Sequence, residues 1–248
     1  LILNKNFWKV LLPFHLVAIF GLFHLEYFIW LFVFWILFGV IGNGVAGHRY
    51  FAHNQFTCSK IIKWVLAFFT TLGAYAPISY WRIQHLHHHA NSDKGNDVHS
   101  PLHGTIFNTF YGWVLYESNI NLISSQSKIS IRVMRDDFYM WFYRYHYTII
   151  YTFSLILLLI SPYIFSMYCL AYVIEIIRLG SVNYFCHTSG YRLFETKDNS
   201  RNNIWVGILG LGFGWHNTHH ADPGRLILTE KWWEIDIEGY IGWVISKM

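Results

Sequence analysis

Charge is sparse in this sequence. Only 13% of its 248 residues are Asp, Glu, Lys or Arg, about half the share of a typical soluble domain. The 18 Lys and Arg are scattered rather than gathered into a stripe, so the net charge of +4 gives no reason to expect a nucleic-acid partner. Cysteine is scarcer still: Cys58, Cys169 and Cys186 make no CxxC pair and no even-numbered framework. That argues against structural disulfides, a thiolate zinc site and iron–sulfur clusters. The Glu-x-x-His pairs of soluble di-metal bundles are missing as well. No repeat or low-complexity tail divides the chain, so residues 1–248 read as a single domain. The first apolar run continues past Leu22 without a small-residue cleavage site, so no cleavable signal peptide is expected.

Apolar and aromatic residues fill the space that charge leaves: 54% of the chain is hydrophobic and 20% is Phe, Trp or Tyr, with a mean hydropathy of +0.30. A helix needs about 20 mostly apolar residues to cross a bilayer. Residues 7–23 and 27–41 form one candidate pair, parted only by His24-Leu25-Glu26. Residues 147–160 and 163–177 form another, parted by Ser161-Pro162, where proline stops the first helix. The expected fold is all-α and integral to the membrane, with four transmembrane helices in two hairpins. Residues 61–80 are equally apolar, but histidine clusters stand on both sides of that run. A single crossing would put those clusters on opposite faces of the membrane. The run is therefore expected to lie at one surface, or dip into it, broken at Gly73 and Pro77. The two outer turns hold no Lys or Arg. Nearly every basic residue, from Lys5, Arg49 and Arg82 to Arg225 and Lys231, falls on the other side with all the histidine clusters. By the positive-inside rule that side is cytosolic, and the expected site sits in a cytosolic helical cap. Residues 105–116 and the Trp232-Trp233 pair suit rings held at headgroup depth.

Eight of the 15 histidines fall in three short boxes: His48-x4-His53, His85-x2-His88-His89 and His216-x2-His219-His220. Imidazole is the commonest protein ligand for transition metals. Eight such groups exceed the six positions of an octahedral ion, which points to two metals side by side. On a helix, positions i, i+3 and i+4 share a face, so each HxxHH box projects its three rings together. The first box is harder to build. Five residues at about 100° each leave His48 and His53 about 140° apart, so one of them must lie where the helix ends or loosens, near Gly42, Gly44 and Gly47. His87 sits off the face of its box and is left out. His15, His24 and His146 lie in or beside apolar runs and read as structural, His99 and His103 as surface or supporting groups. Neutral imidazoles leave the metal charge uncancelled, so carboxylates are expected behind them, from Asp93, Asp97, Asp198 and Asp222. Such a ligand set suits Fe, Cu, Zn or Ni.

At these residues the sequence resembles the integral-membrane fatty acid desaturases, and within them the Δ9 acyl-CoA and acyl-lipid branch. The stretches that carry the likeness are Gly47-His48-Arg49-x3-His53, Trp81-x3-His85-x2-His88-His89 and Gly214-Trp215-His216-Asn217-x-His219-His220-Ala221-x-Pro223. Asn183-x3-His187 resembles a further motif of that family. The resemblance implies that His187 is a ninth ligand and that Asn183 reaches the metal through water. Two departures stand out. The second box reads His-Leu-His-His-His where the family often carries Arg or Asp between the histidines. The His-Pro-Gly-Gly signature of a fused cytochrome b5 domain is absent.

The implied activity is O2-dependent desaturation of a saturated acyl chain at a di-iron centre, with the double bond at Δ9. Electrons are expected from a separate cytochrome b5 or ferredoxin-type donor, and the substrate would be a fatty acyl-CoA or acyl-lipid. An unactivated methylene carries no acidic proton, so acid–base chemistry alone cannot attack it and a metal–oxygen oxidant is needed. Trp35, Phe38 and Trp81 are expected to line an apolar tunnel between the hairpins, with Arg82 or Arg192 near the substrate's polar head. A hydroxylase or other oxygenase on the same scaffold would share every box. A metal transporter would place its ligands at mid-membrane rather than at helix ends.

Overall fold

The computed structural model describes residues 7–73, 75–97, 99–115 and 128–248; Lys5 and Tyr116 lie outside them. Among the described residues there is no strand, only isolated bridges pairing Tyr191 with Asn202 and Asn202 with Trp215. The helices are α1 (Trp8–Gly21), α2 (Leu25–Ala52), α3 (Lys60–Gly73), α4 (Ile78–Asn91), α5 (Trp113–Leu115, entered through a π-helical turn at Asn108–Gly112), α6 (Lys128–Met134), α7 (Asp137–Ile160), α8 (Pro162–Thr188), α9 (Ile204–Leu209), α10 (His216–Ala221) and α11 (Ile237–Ile245). By length and composition, α2 and α8 are able to cross a membrane. The pair α3 and α4 makes a third such segment if its 80° bend is counted as one broken span. That bend falls at the expected break between Gly73 and Pro77.

The two hairpins share one tip. Ser161 accepts a hydrogen bond from the Ile164 amide and Pro162 occupies the first turn of α8, a start that costs no backbone donor. From there the Tyr163 ring stacks on Tyr27, with centroids 5.0 Å apart, and meets Phe20 and His24 at 5.9 and 4.6 Å. Thus α2 and α8 both begin at the same end. A helix rises about 1.5 Å per residue, so the 25 steps from Pro162 to His187 carry the chain roughly 37 Å to the opposite end. Large apolar side chains are bare around the tip, with Phe23 78% and Leu159 77% exposed. So wide an apolar surface suits contact with lipid. Behind it, α8 forms the centre of the core, and its Tyr168 ring meets Phe14, Phe34, Phe38 and Phe153 at 5.3–5.7 Å.

The first histidine box is built by a wide helix winding, with His53 lying where the helix ends, as its spacing requires. From Trp35 to Ala52 the backbone is a π-helix, and the His53 amide donates to the His48 carbonyl five residues back. The wider turn brings residues five apart onto one face. The glycines serve close approach: a Cβ on Gly42 would overlap the Phe69 backbone of α3, and one on Gly44 the carboxylate of Glu238. The turn then ends at Asn54, whose φ of 53° is tolerated by a short polar side chain.

Candidate metal centre

Nine imidazoles converge at the end of the molecule away from the tip, in two adjoining groups. His48, His53, His85, His89 and His219 form one; His88, His187, His216 and His220 form the other. Within each group the ring nitrogens lie within 4.8 Å of one another. His48 Nε2 is 3.0 Å from His219 Nε2, which is 3.0 Å from His89 Nε2, and His53 Nε2 is 2.7 Å from His85 Nε2. In the second group His187 Nε2 is 3.0 Å from His216 Nε2. Neighbouring ligands about 2.1 Å from a shared ion would stand about 3 Å apart at a right angle, so this spacing suits six-coordinate ions. The His220 Nε2 atom is buried without a protein partner, as a ligand atom facing an ion would be. The donor set thus fits one transition-metal ion per group.

Each HxxHH box serves both groups. On α4 the i,i+4 pair His85 and His89 joins the five-histidine group, and His88 joins the other. On α10 the i,i+4 pair His216 and His220 goes to the four-histidine group, and His219 crosses over. Residues i and i+4 differ by only about 40° around a helix, so the pair stays together while the third ring points to the neighbour. The groups touch through His89 and His220, whose rings stack at 4.4 Å.

Among the described residues, carboxylates back only the four-histidine group. His88 Nδ1 donates to Asp97 at 3.0 Å, His187 Nδ1 to Asp93 at 3.0 Å and His220 Nδ1 to Asp198 at 2.7 Å. These bonds fix each ring with Nε2 facing inward. Asp222, expected in the same role, instead accepts the Gly224 amide in the turn after α10. In the five-histidine group, the Nδ1 atoms of His48 and His219 are buried without a partner. Asp93 sits at φ 60° beyond the end of α4, which lets it reach a histidine 94 positions further along the chain.

Asn183 lines a chamber beside both groups, one turn before His187. Trp81, Trp113 and Phe213 wall the same chamber, which has about 40 Å³ of free volume. The Trp81 ring lies against His85 with centroids 4.9 Å apart and 18° between planes. His99, expected as a surface or supporting group, is 7% exposed, edges Trp113 at 4.6 Å and lines the chamber. Trp35 and Phe38 do not line it. Trp35 faces an apolar groove of about 520 Å³ on the other side of α8, and Phe38 is buried among Phe34, Phe69 and Phe153. Arg82 turns away from Trp81 into a cleft of about 300 Å³ that it shares with Lys63, Arg132 and Asp136. Arg192 is spent on the chain itself, donating to the Asp198 and Thr196 carbonyls.

Sequence reading missed the buried charges beneath the histidines. Arg49 pairs with Asp236 at 2.8 Å, and Arg178 pairs with Glu175 at 2.8 Å and Glu238 at 2.7 Å, all with side chains almost fully buried. A signal was present: Glu175 and Arg178 are opposite charges three residues apart in an otherwise apolar run, and ionisable groups in such runs mark function.

The three histidines of α10 are held neutral. Burial drives His220 down to about 4, with the Asp198 hydrogen bond opposing. Burial, and then the neighbouring imidazoles, push His216 and His219 well below the ordinary 6.5. Folded protein therefore resists protons that the unfolded chain accepts. The stability this contributes is complete above pH 6.5 and is lost as pH falls toward 4. The metal-free protein in detergent is expected to melt at steadily lower temperature across that window, and a flat melting temperature would contradict the neutral cluster.

Apolar helices able to span a bilayer, carrying imidazole groups with carboxylates behind them, define a membrane protein of the histidine-box type. Within that class the chain belongs to the fatty acid desaturase family, whose sequence model matches residues 8–227. Membership makes it a membrane-associated oxidoreductase of fatty acid desaturation. It is similar to a hex-5-enoyl-[acyl-carrier protein] acetylenase of Moorena producens (strain JHB), 31% identical over 86% of this chain and 72% of that protein. It is also similar to Delta-9 acyl-lipid desaturase 2 of Arabidopsis thaliana, 28% identical over 87% and 72% of the two chains. The sn-2 palmitoyl-lipid 9-desaturase of Nostoc sp. (strain 36) is 30% identical over 89% of this chain and 82% of its own.

Proposed function

We propose that the protein is an O2-dependent acyl desaturase that introduces a cis double bond, at Δ9, into a saturated fatty acyl chain, with one iron ion held by each histidine group. The observation that carries this reading is the pair of adjoining nests with five and four inward-facing nitrogens. The Δ9 position is supported by relatives named as 9-desaturases. Bound iron and O2 supply the oxidising power that an unactivated methylene requires. The chain's own side chains do the rest. Asp93, Asp97 and Asp198 hold three imidazoles in register, and Asn183 holds water against the four-histidine group. Trp81, Trp113 and Phe213 press the acyl chain toward the nests and keep bulk water out.

The carrier's head group would sit in the cleft of Lys63, Arg82 and Arg132 on the other side of α4. Three cations around one cleft suit an anionic carrier group such as a phosphate. The acyl carrier is a lipid or CoA, and electrons arrive from a separate cytochrome b5 or ferredoxin-type protein. Four spans (α1, α2, α7 and α8) in two hairpins are supported by the shared tip, and a cytosolic metal site by the basic residues at the histidine end. A second reading has one specific support: the relative named as an acetylenase, which points to other oxidations on the same scaffold.

Expression in cells unable to make monounsaturated lipids tests both readings. Gas chromatography with mass spectrometry of total lipids is expected to reveal Δ9 monounsaturated chains. Hydroxylated or acetylenic products would favour the second reading. An unchanged profile, with iron and a donor supplied, would overturn the first.

A further inference from the structure

The buried charges beneath the histidines take no part in the reaction just described. They are costly to bury, and apolar residues of similar size would serve stability as well. Two of the carboxylates, Asp236 and Glu238, are fully buried and lie near or on α11, beyond the residues that match the family. That segment contributes no histidine. Its carboxylates nevertheless reach both arginines. Asp236 Oδ1 accepts from Arg49 Nη2 at 2.8 Å, and Glu238 Oε1 accepts from Arg178 Nη1 at 2.7 Å.

Each arginine leads to His48. Arg49 is its chain neighbour, and its Nη1 also donates to the Leu226 carbonyl after the third box. Arg178 lies over the Phe213 ring, 4.7 Å from its centroid, and that ring meets the His48 imidazole edge-on at 5.0 Å and 82°. The same two residues brace the approach to α10, Glu238 by its backbone and Asp236 by its side chain. The Glu238 amide donates to the Leu211 carbonyl at 3.1 Å, and a Cβ on Gly212 would collide with Asp236. An independent observation says why such bracing is needed. His88, His187 and His220 are each aimed by a carboxylate on Nδ1, whereas His48 Nδ1 is buried and has no partner. Packing must set the direction of that ring.

We propose that Asp236 and Glu238 are positioning residues for the five-histidine group: through Arg49, and through Arg178 and Phe213, they aim the His48 imidazole at its metal. This rests on the reading of His48 as a ligand. It assigns the C-terminal segment a role in the metal site of a chain whose ligands all lie elsewhere.

Cobalt(II) titration of the whole chelator-treated protein in detergent tests the proposal, followed by its visible ligand-field bands. Wild-type protein is expected to take two equivalents; failure to do so would overturn the proposed metal site itself, and this inference with it. Glu238→Gln keeps a hydrogen-bonding side chain without the carboxylate that faces both Arg178 and Arg49, and Asp236→Asn makes the same change beside Arg49. Each is expected to bind one equivalent normally and the second at least about tenfold more weakly, with a shifted band. Phe213→Leu leaves every charge pair intact and removes only the ring between Arg178 and His48, so it decides the matter should the charge variants fold poorly. It is expected to shift the same band. Two equivalents bound with wild-type affinity and spectrum in Phe213→Leu, or in folded Glu238→Gln and Asp236→Asn, would overturn the proposal.

Discussion

Replacing His219 with alanine is expected to cost one metal equivalent and to cut desaturation at least about a hundredfold. Its Nε2 lies 3.0 Å from both His48 and His89, so the substitution opens the centre of the five-histidine group. Changes merely behind a ligand already cost roughly 10–100-fold in metal affinity or activity, and loss of the ligand itself should exceed that. The four-histidine group, aimed by its own aspartates, should keep its ion. Iron per chain by inductively coupled plasma mass spectrometry, read beside product formation, checks both halves of the statement. His87→Ala is the matched control. That ring faces the Asn96 carbonyl and the Asn91 side chain, outside both groups, so metal content should stay at two. Full activity in His219→Ala would remove it from the ligand set.

How much of this was legible in the sequence depends on the range of the interaction. The turn at Ser161-Pro162, the break between Gly73 and Pro77 and the shared face of each HxxHH box follow from local rules, and the described helices obey them. The sharing of each box between two groups did not follow, because it depends on how α4 and α10 face each other. Nor did the π-winding of α2, whose i,i+5 histidines look misaligned until the helix is known to be wide. Arg49 illustrates the limit best. Counted by its position it is one more cation at the histidine end, yet its side chain is wholly buried against Asp236, 187 residues away. Local pattern cannot foresee a pairing of that separation. Trp35 failed for a related reason: a helix has two apolar faces in a membrane, and composition does not say which faces the metals and which the groove behind α8.

His187 carries the other large expectation. It belongs to no box, and a single histidine after an apolar run reads from composition alone as structural; only the likeness of Asn183-x3-His187 to a family motif suggested otherwise. Its geometry is that of a box histidine: 3% exposed, Nε2 3.0 Å from His216, Nδ1 on Asp93. His187→Ala is therefore expected to match His219→Ala in lost activity while emptying the opposite group, which leaves one equivalent held by the five histidines. Asp93→Asn separates ligation from aiming. The amide still fits between His187 and the Asn199 amide but no longer carries charge, so the metal should remain with about 10–100-fold lower affinity. Burial raises the Asp93 carboxyl, yet its bonds with His187 and the Asn199 amide outweigh that and hold it below the ordinary range. The charge removed by Asp93→Asn is thus one present at neutral pH. Competition against a chelator of known affinity measures the loss. An unchanged affinity in Asp93→Asn together with an empty group in His187→Ala would mean that the imidazole is aimed by packing on this side too. The contrast between a carboxylate-aimed group and a packing-aimed group would then fall.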